Sequence, residues 1–285
     1  MLKLLTPVVF SPSVSPFSLS ESAVLLGSCF VDGIGEKMRQ CGMDVCVNPF
    51  GTLYNPVSIA NAVSRLESAV PFREAECVGM GAGSDLICSF SHHTSFARGS
   101  DEEFLRDANA SLEFSHLAWR RATKVVITLG TSFCYTLKSS GEVVSNCLKR
   151  PASEFSRDFL PSERTAAILR RLVSRFPDKH FIFTVSPIRH MSDGAHANTL
   201  SKSSLLLAVD SLKDCSNVEY FPAYEIVMDE LRDYRFYAED MVHPSAQAVS
   251  YIWERFCDFA VPDSLRATLA ENEKAWRRQQ HRPLH

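Results

Sequence analysis

Along this chain, short apolar runs alternate with longer stretches in which apolar residues recur every three or four positions. "AVLLG" at 23–27 is the first run, and a helical pattern follows over 32–40. "MDVCVNPF" at 43–50 predicts a second strand. Asn55-Pro56 then opens a helix reaching about residue 67, whose Ile59, Val63 and Leu66 fall on one face. "KVVITLG" at 124–130 is apolar and β-branched, the composition of a strand covered on both sides. A helix over 162–175, a strand over 180–186, a helix over 200–212, a strand over 218–223 and a last helix over 244–259 complete the alternation. This order predicts βαβ units and an α/β fold, a three-layer doubly wound sheet of about five parallel strands.

Two segments depart from the alternation. Residues 70–120 begin glycine- and serine-rich, "GMGAGSDLICSFSHHTSFARG", and end in a helical "DEEFLRDANASLEFSHLAWRRA"; they are read as an insertion. "TSFCYTLKSSGEVVSNC" predicts a β-hairpin over about 132–147 with Ser139-Ser140-Gly141 as its turn. The whole of 1–285 is expected to form one domain around one large core, with the tail "RRQQHRPLH" frayed. Hydrophobic residues at 45% and charged residues at 22% are ordinary for a water-soluble protein, and no apolar run approaches the ~18 residues of a membrane span. A net charge of -3 offers no general field for polyanions, so nucleic acid is not an expected partner. Prolines break the short apolar run at the N-terminus, and no signal peptide is read there. Nine cysteines, odd in number and irregularly spaced, fit free thiols in a reducing, cytoplasmic setting. Without paired Cys-x-x-Cys motifs, no metal or cofactor is expected.

Ligands of doubly wound sheets sit at the carboxyl ends of the strands, near the switch in strand order. The corresponding positions here are Gly27-Ser28, Phe50-Gly51, Gly130-Thr131, Ser186-Pro187 and the segment after Ala223. Ser28 stands between a strand and a helix, where helix-terminal N–H groups can stabilise an oxyanion; the competing reading is a simple helix cap. Cys29, the second potential nucleophile, is read as packing, because the side chain after such a nucleophile normally points into the fold. In "EDMVHPS", Asp240 precedes His243 by three residues and Pro244 opens a helix. Such a turn lets the carboxylate fix the imidazole tautomer, so that the other ring nitrogen takes a proton from a serine. The competing reading is a capping Asp beside a surface His.

The blocks "GSCF", "VDGIG", "NPFGTLYNP", "FSHHTSF", "VVITLGTSF", "TVSPIRH", "ELRDYRFYAEDMVHPS" and "YIWERF", in this order over about 3–258, closely resemble the GSCFA family, grouped by fold with the SGNH/GDSL hydrolases. The resemblance implies a flavodoxin-like, SGNH-type fold, with Ser28 as nucleophile, His243 as base and Asp240 as the acid of the triad. It places oxyanion donors at the N–H groups of Ser28 and Gly51. The superfamily's asparagine after the third strand has no match, since Thr131 and Ser132 stand there; Asn146, at the end of the hairpin, is a further candidate.

Arg189 and His190 after the fourth strand are read as substrate-binding, the competing reading being an Arg189–Asp193 pair. His92 and His93 are also assigned to the crevice, with at most one pointing inward, and a metal site built from them and Asp240 is disfavoured. The leading expectation is an SGNH-like serine hydrolase acting on a small-molecule or carbohydrate ester, for example O-acyl groups of a carbohydrate. The alternatives are an acyltransferase using the same triad and a non-catalytic module binding a glycan or anion.

Overall fold

The computed structural model describes residues 5–280. In chain order its elements are β1 Ser22–Gly27, α1 Cys29–Gln40, β2 Asp44–Val47, α2 Pro56–Ser68, β3 Val78–Gly79, β4 Ile87–Cys88, α3 Asp101–Arg121 and β5 Lys124–Leu129. There follow β6 Phe133–Leu137, β7 Val143–Val144, β8 Phe155–Phe159, α4 Ser162–Arg175, β9 His180–Val185 and α5 Gly194–Asp210. The chain continues with β10 Val218–Tyr220, α6 Ala223–Glu225 running into a π-turn at Ile226–Glu230, α7 Ala246–Ala260 and α8 Asp263–Gln280.

The main sheet has the order β10-β9-β5-β1-β2, all parallel. Each central strand is buried, and its side chains alternate between two layers as a period of two requires. Val24, Leu26, Val125 and Ile127 face one core with Ile59 and Leu66 of α2 and Phe104 of α3. Ala23, Leu25 and Val126 face the other, with Ile34 and Met38 of α1 and Ile252 and Phe256 of α7. The expected α/β, doubly wound class is therefore the observed one. Strand order reverses between β1 and β5, so their carboxyl ends flank the crevice of the switch point. Register sets Gly27 beside Thr128 and Leu129 beside Val185, which lines up Ser28, Gly130 and Ser186 along one edge.

The segment 70–120 divides. Residues 70–100 carry the antiparallel pair β3–β4 and short 3₁₀ turns, whereas α3 lies against β1, β2 and α2 as the crossover helix to β5. β6 and β7 pair across the turn at Gly141, and β8 adds to the other edge of β6. "SEFSRDF" is largely exposed and charged in its second half, so its sequence carries no alternation to announce a strand. α5 begins at Gly194, six residues before the expected start, because its first turns bury Asn198, Ser201 and Lys202 rather than apolar residues. α8 is absent from the expectation for a related reason: only Leu269 is fully buried, and a thin apolar stripe leaves no periodic signal. It is held to α1 by the Asn272 amide on the Cys41 carbonyl (2.9 Å) and by Lys37–Glu273. The tail expected to fray starts inside α8, and residues 281–285 lie outside those described.

Candidate active site

A cavity of about 510 Å³ opens where the strand ends of the main sheet meet the β6–β8 sheet. Ser28, Thr131, His190 and His243 line it, as do Asn198, Ser201 and Lys202 from α5, while Phe133, Tyr135 and Phe155 form an aromatic wall. Among the described residues no helix is long and apolar enough to cross a membrane.

Ser28 is delivered by a turn that only glycine makes. Gly27 has φ +140°, and a Cβ there would stand 2.2 Å from the Thr128 carbonyl oxygen. The Gly27 N–H donates to Asn48 Oδ1 (2.9 Å), and the Asn48 amide donates to Asp32 Oδ1 of α1 (2.7 Å), tying both strand ends to the helix. Ser28 is positionally the N-cap of α1, yet its side chain makes no capping bond. The hydroxyl is buried, with the residue 2% exposed, and has no hydrogen-bond partner among the described residues. Leaving such a group unsatisfied costs roughly 1–3 kcal/mol, which argues for a use other than stability. Cys29 also lines the cavity, contrary to a purely packing role. Burial, with Asp32 behind it, pushes its thiol up, so it stays protonated and a poor nucleophile.

The other half of the site is a tight loop. The Ala238 N–H donates to the His243 carbonyl (2.7 Å), the Ser245 N–H to the Phe236 carbonyl (2.8 Å), and Met241 takes φ 56° between them. Asp240 Oδ1 accepts the N–H groups of Val242 and His243 (2.9 Å each), and Oδ2 lies 2.6 Å from His243 Nδ1. The two backbone bonds and the imidazole hold the Asp240 carboxyl down at about 2. It is a carboxylate at neutral pH and fixes a ring proton on Nδ1, which leaves Nε2 as the position that exchanges a proton with the cavity. The loop and the start of α1 border one cavity, through His243 and Cys29. His243 is half-exposed and lines the same cavity as Ser28, but stands beyond hydrogen-bond reach of the Ser28 hydroxyl.

Several sequence-assigned residues fall elsewhere. Gly51 does not line the cavity: its N–H donates to the Asn48 carbonyl (2.7 Å), and its φ of +77° and missing Cβ admit His93, whose Cβ would lie 2.3 Å from a side chain there. His92 is a core residue, 0% exposed, among Phe50, Phe72, Phe96 and Phe104, with Nδ1 on Ser89 Oγ (2.7 Å). Burial lowers its pKa to about 3, so it is neutral. His93 caps the turn at Ser95 and is outside the cavity. Arg189 is outside too; its backbone N–H holds the Val242 carbonyl (3.3 Å), and its side chain lies by Met228. Asp193 pairs with Arg157 instead of Arg189.

Of the remaining candidates, His190 and Asn146 line the cavity, with Asn146 Oδ1 accepting the Leu148 N–H (2.8 Å). Thr131 Oγ1 accepts the Phe133 N–H (3.0 Å) and lies 3.1 Å from Ser201 Oγ. Ser132 is fully buried away from the cavity lining. Cavity residues that carry no motif in the sequence include the aromatic wall and the polar residues of α5. Asn198, Ser201, Lys202 and Leu205 recur at helical spacing, and that spacing was the available signal.

The sequence profile of the GSCFA family matches residues 22–256. The chain belongs to the GSCFA family. No curated protein matches the sequence. Among solved structures, the chain is similar to an acetyl xylan esterase from the rumen bacterium Butyrivibrio proteoclasticus, at 11% identity and TM-score 0.41 over 89% of this chain and 65% of that one. It is also similar to a carbohydrate esterase family 2 enzyme with a carbohydrate binding domain from Corynascus thermopiles (Myceliophthora fergusii), at 12% identity and TM-score 0.40 over 93% and 69%.

Proposed function

We propose that this member of the GSCFA family is a serine hydrolase that cleaves an ester through an acyl-enzyme on Ser28. The observation that carries the reading is a buried, unpartnered serine hydroxyl sharing one cavity with an Asp240-oriented imidazole. Ser28 Oγ attacks the ester carbonyl while His243 Nε2 takes its proton. Collapse of the tetrahedral intermediate breaks the acyl C–O bond, and His243 returns the proton to the leaving alcohol. Water, deprotonated by His243, then releases the acid and restores Ser28. The gap between Ser28 and His243 closes on substrate binding in this scheme, as catalytic hydrogen bonds commonly do.

Half-exposure of His243 and Asp240 leaves water access to the acyl-enzyme, which favours hydrolysis over transfer to another alcohol. The aromatic wall beside Asn146 and Asn198 suits a sugar as the leaving alcohol: flat rings meet its apolar face and amides its hydroxyls. One observation favours a non-catalytic binding module, namely the missing Ser28–His243 hydrogen bond. Turnover of aryl acetates separates the two. The hydrolase reading expects a burst of phenol followed by steady turnover, both lost in Ser28→Ala and His243→Ala; a folded wild-type protein inert to aryl acetates sinks it.

A further inference from the structure

Of the oxyanion donors that the sequence assigns, Thr131 and Asn146 line the cavity, while the two backbone donors are engaged elsewhere. The Ser28 N–H is turned to the Thr128 carbonyl (3.2 Å), and the Gly51 N–H is engaged with Asn48 outside the cavity. The hydroxyl of Thr131 is shared with Ser201, and Ser132 does not reach the cavity. The edge holds a different group. Lys202, from the third turn of α5, borders the cavity and gives two N–H bonds of 2.7 Å each, to the Gly130 carbonyl after β5 and to the Ser186 carbonyl after β9. An ammonium carries three donors, so one is left without a partner among the described residues. The residue is 2% exposed and makes no ion pair with an acid among the described residues. Gly130 directly follows β5, the strand paired with β1, whose end carries Ser28.

We propose that Lys202 is the charged donor of the oxyanion hole for acyl transfer at Ser28, an assignment that rests on the hydrolase reading above. Its third N–H faces the carbonyl oxygen as negative charge develops, and the two strand carbonyls fix it without reorganisation. Lys202 stays protonated through both half-reactions while His243 moves the proton. Loss of the Lys202 proton at high pH leaves two N–H groups, enough for Gly130 and Ser186. The fold survives, and the donor toward the cavity is gone. Arg189 after β9 and Cys29 at the start of α1 act on Lys202 directly, and the other charged or titratable groups of the cavity are Tyr54, Tyr135, Cys147, Arg150, the Arg157–Asp193 pair, His190 and His243. Burial, reinforced by Arg189 and opposed by Cys29, lowers the lysine to about 7. Raising pH through that value removes its charge.

The test uses the full chain with p-nitrophenyl acetate and a fluorophosphonate probe. Lys202→Gln is expected to lower kcat on the order of 10²-fold with KM within about twofold. Wild-type kcat should fall as pH rises through about 7, and Lys202→Arg, charged at every accessible pH, should lack that alkaline fall. A lysine that merely ties β5 to β9 would not move the pH profile. Should either variant fail to fold, the wild-type profile alone decides. A wild-type kcat that stays flat over about pH 7 to 10 overturns the assignment and leaves Ser28 acylation standing. Raised KM at unchanged kcat in Lys202→Gln also overturns it, by making Lys202 a substrate-binding group. Absence of a fluorophosphonate adduct on wild-type Ser28 overturns the hydrolase reading and the Lys202 assignment together.

Discussion

The two walls of the cavity are built on opposite principles. On one, Ser28 and the Asp240–His243 loop are set by short local devices: a glycine at φ +140°, an Asx turn at Asp240, and Ser245 capping α7 where the sequence pattern expects Pro244 to open it. On the other, Asn198, Ser201 and Lys202 are polar residues buried on the inward face of α5: Asn198 donates to the His190 carbonyl, Ser201 accepts the Ser132 N–H, and Lys202 bridges the carbonyls that follow β5 and β9. The first wall can be read from a motif, because its geometry closes within a few residues. The second depends on what the helix packs against. Chemistry needs both, since a nucleophile and base form an acyl-enzyme slowly unless the developing oxyanion has a donor.

The largest expected effect breaks the first wall. Ser28→Ala should lower aryl ester turnover by about 10⁴-fold or more. Thermal melting should show unchanged or raised stability, because the substitution removes a buried hydroxyl with no partner. Asp240→Asn comes next, with a loss on the order of 10³-fold, since the amide favours the wrong imidazole tautomer. The Lys202→Gln loss on the opposite wall is the third in size.

A smaller effect is read in stability. Lys202 has a folded value of about 7, below its unfolded value of about 10.4, so the unfolded chain binds its proton more tightly. Lysine thus weighs against folding below about 7, and this is relieved as pH rises from there toward about 10. Denaturant titrations should show wild type gaining on Lys202→Gln across that interval; a constant difference would mean an ordinary lysine. The smallest effect comes from His92→Phe, which keeps turnover within about twofold because a buried aromatic replaces a neutral one in an aromatic cluster. A turnover loss beyond that would return His92 to the site.

The same contrast explains what the sequence made legible. β5 and α4 were predictable because their side chains are uniformly buried or cleanly amphipathic. β8, α8 and the first turns of α5 were not, since charged or polar residues occupy positions where periodicity looks for apolar ones. Within the site, Ser28 and His243 line one cavity, and Asp240 bonds His243 beside it. Gly51 was misplaced for a physical reason: a motif tells that a glycine is needed, but not whether its N–H or its missing Cβ is what the fold uses. His92 was misplaced because a histidine ring among phenylalanines is indistinguishable in sequence from one facing a crevice.

The central claim is that Ser28 is the nucleophile. It is tested most directly by treating the folded wild-type protein with a fluorophosphonate and mapping the adduct by peptide mass spectrometry. The account predicts one modified residue, Ser28, with labelling abolished in Ser28→Ala and slowed in His243→Ala. An adduct on Cys29 or Thr131, or none on a folded sample, would contradict it.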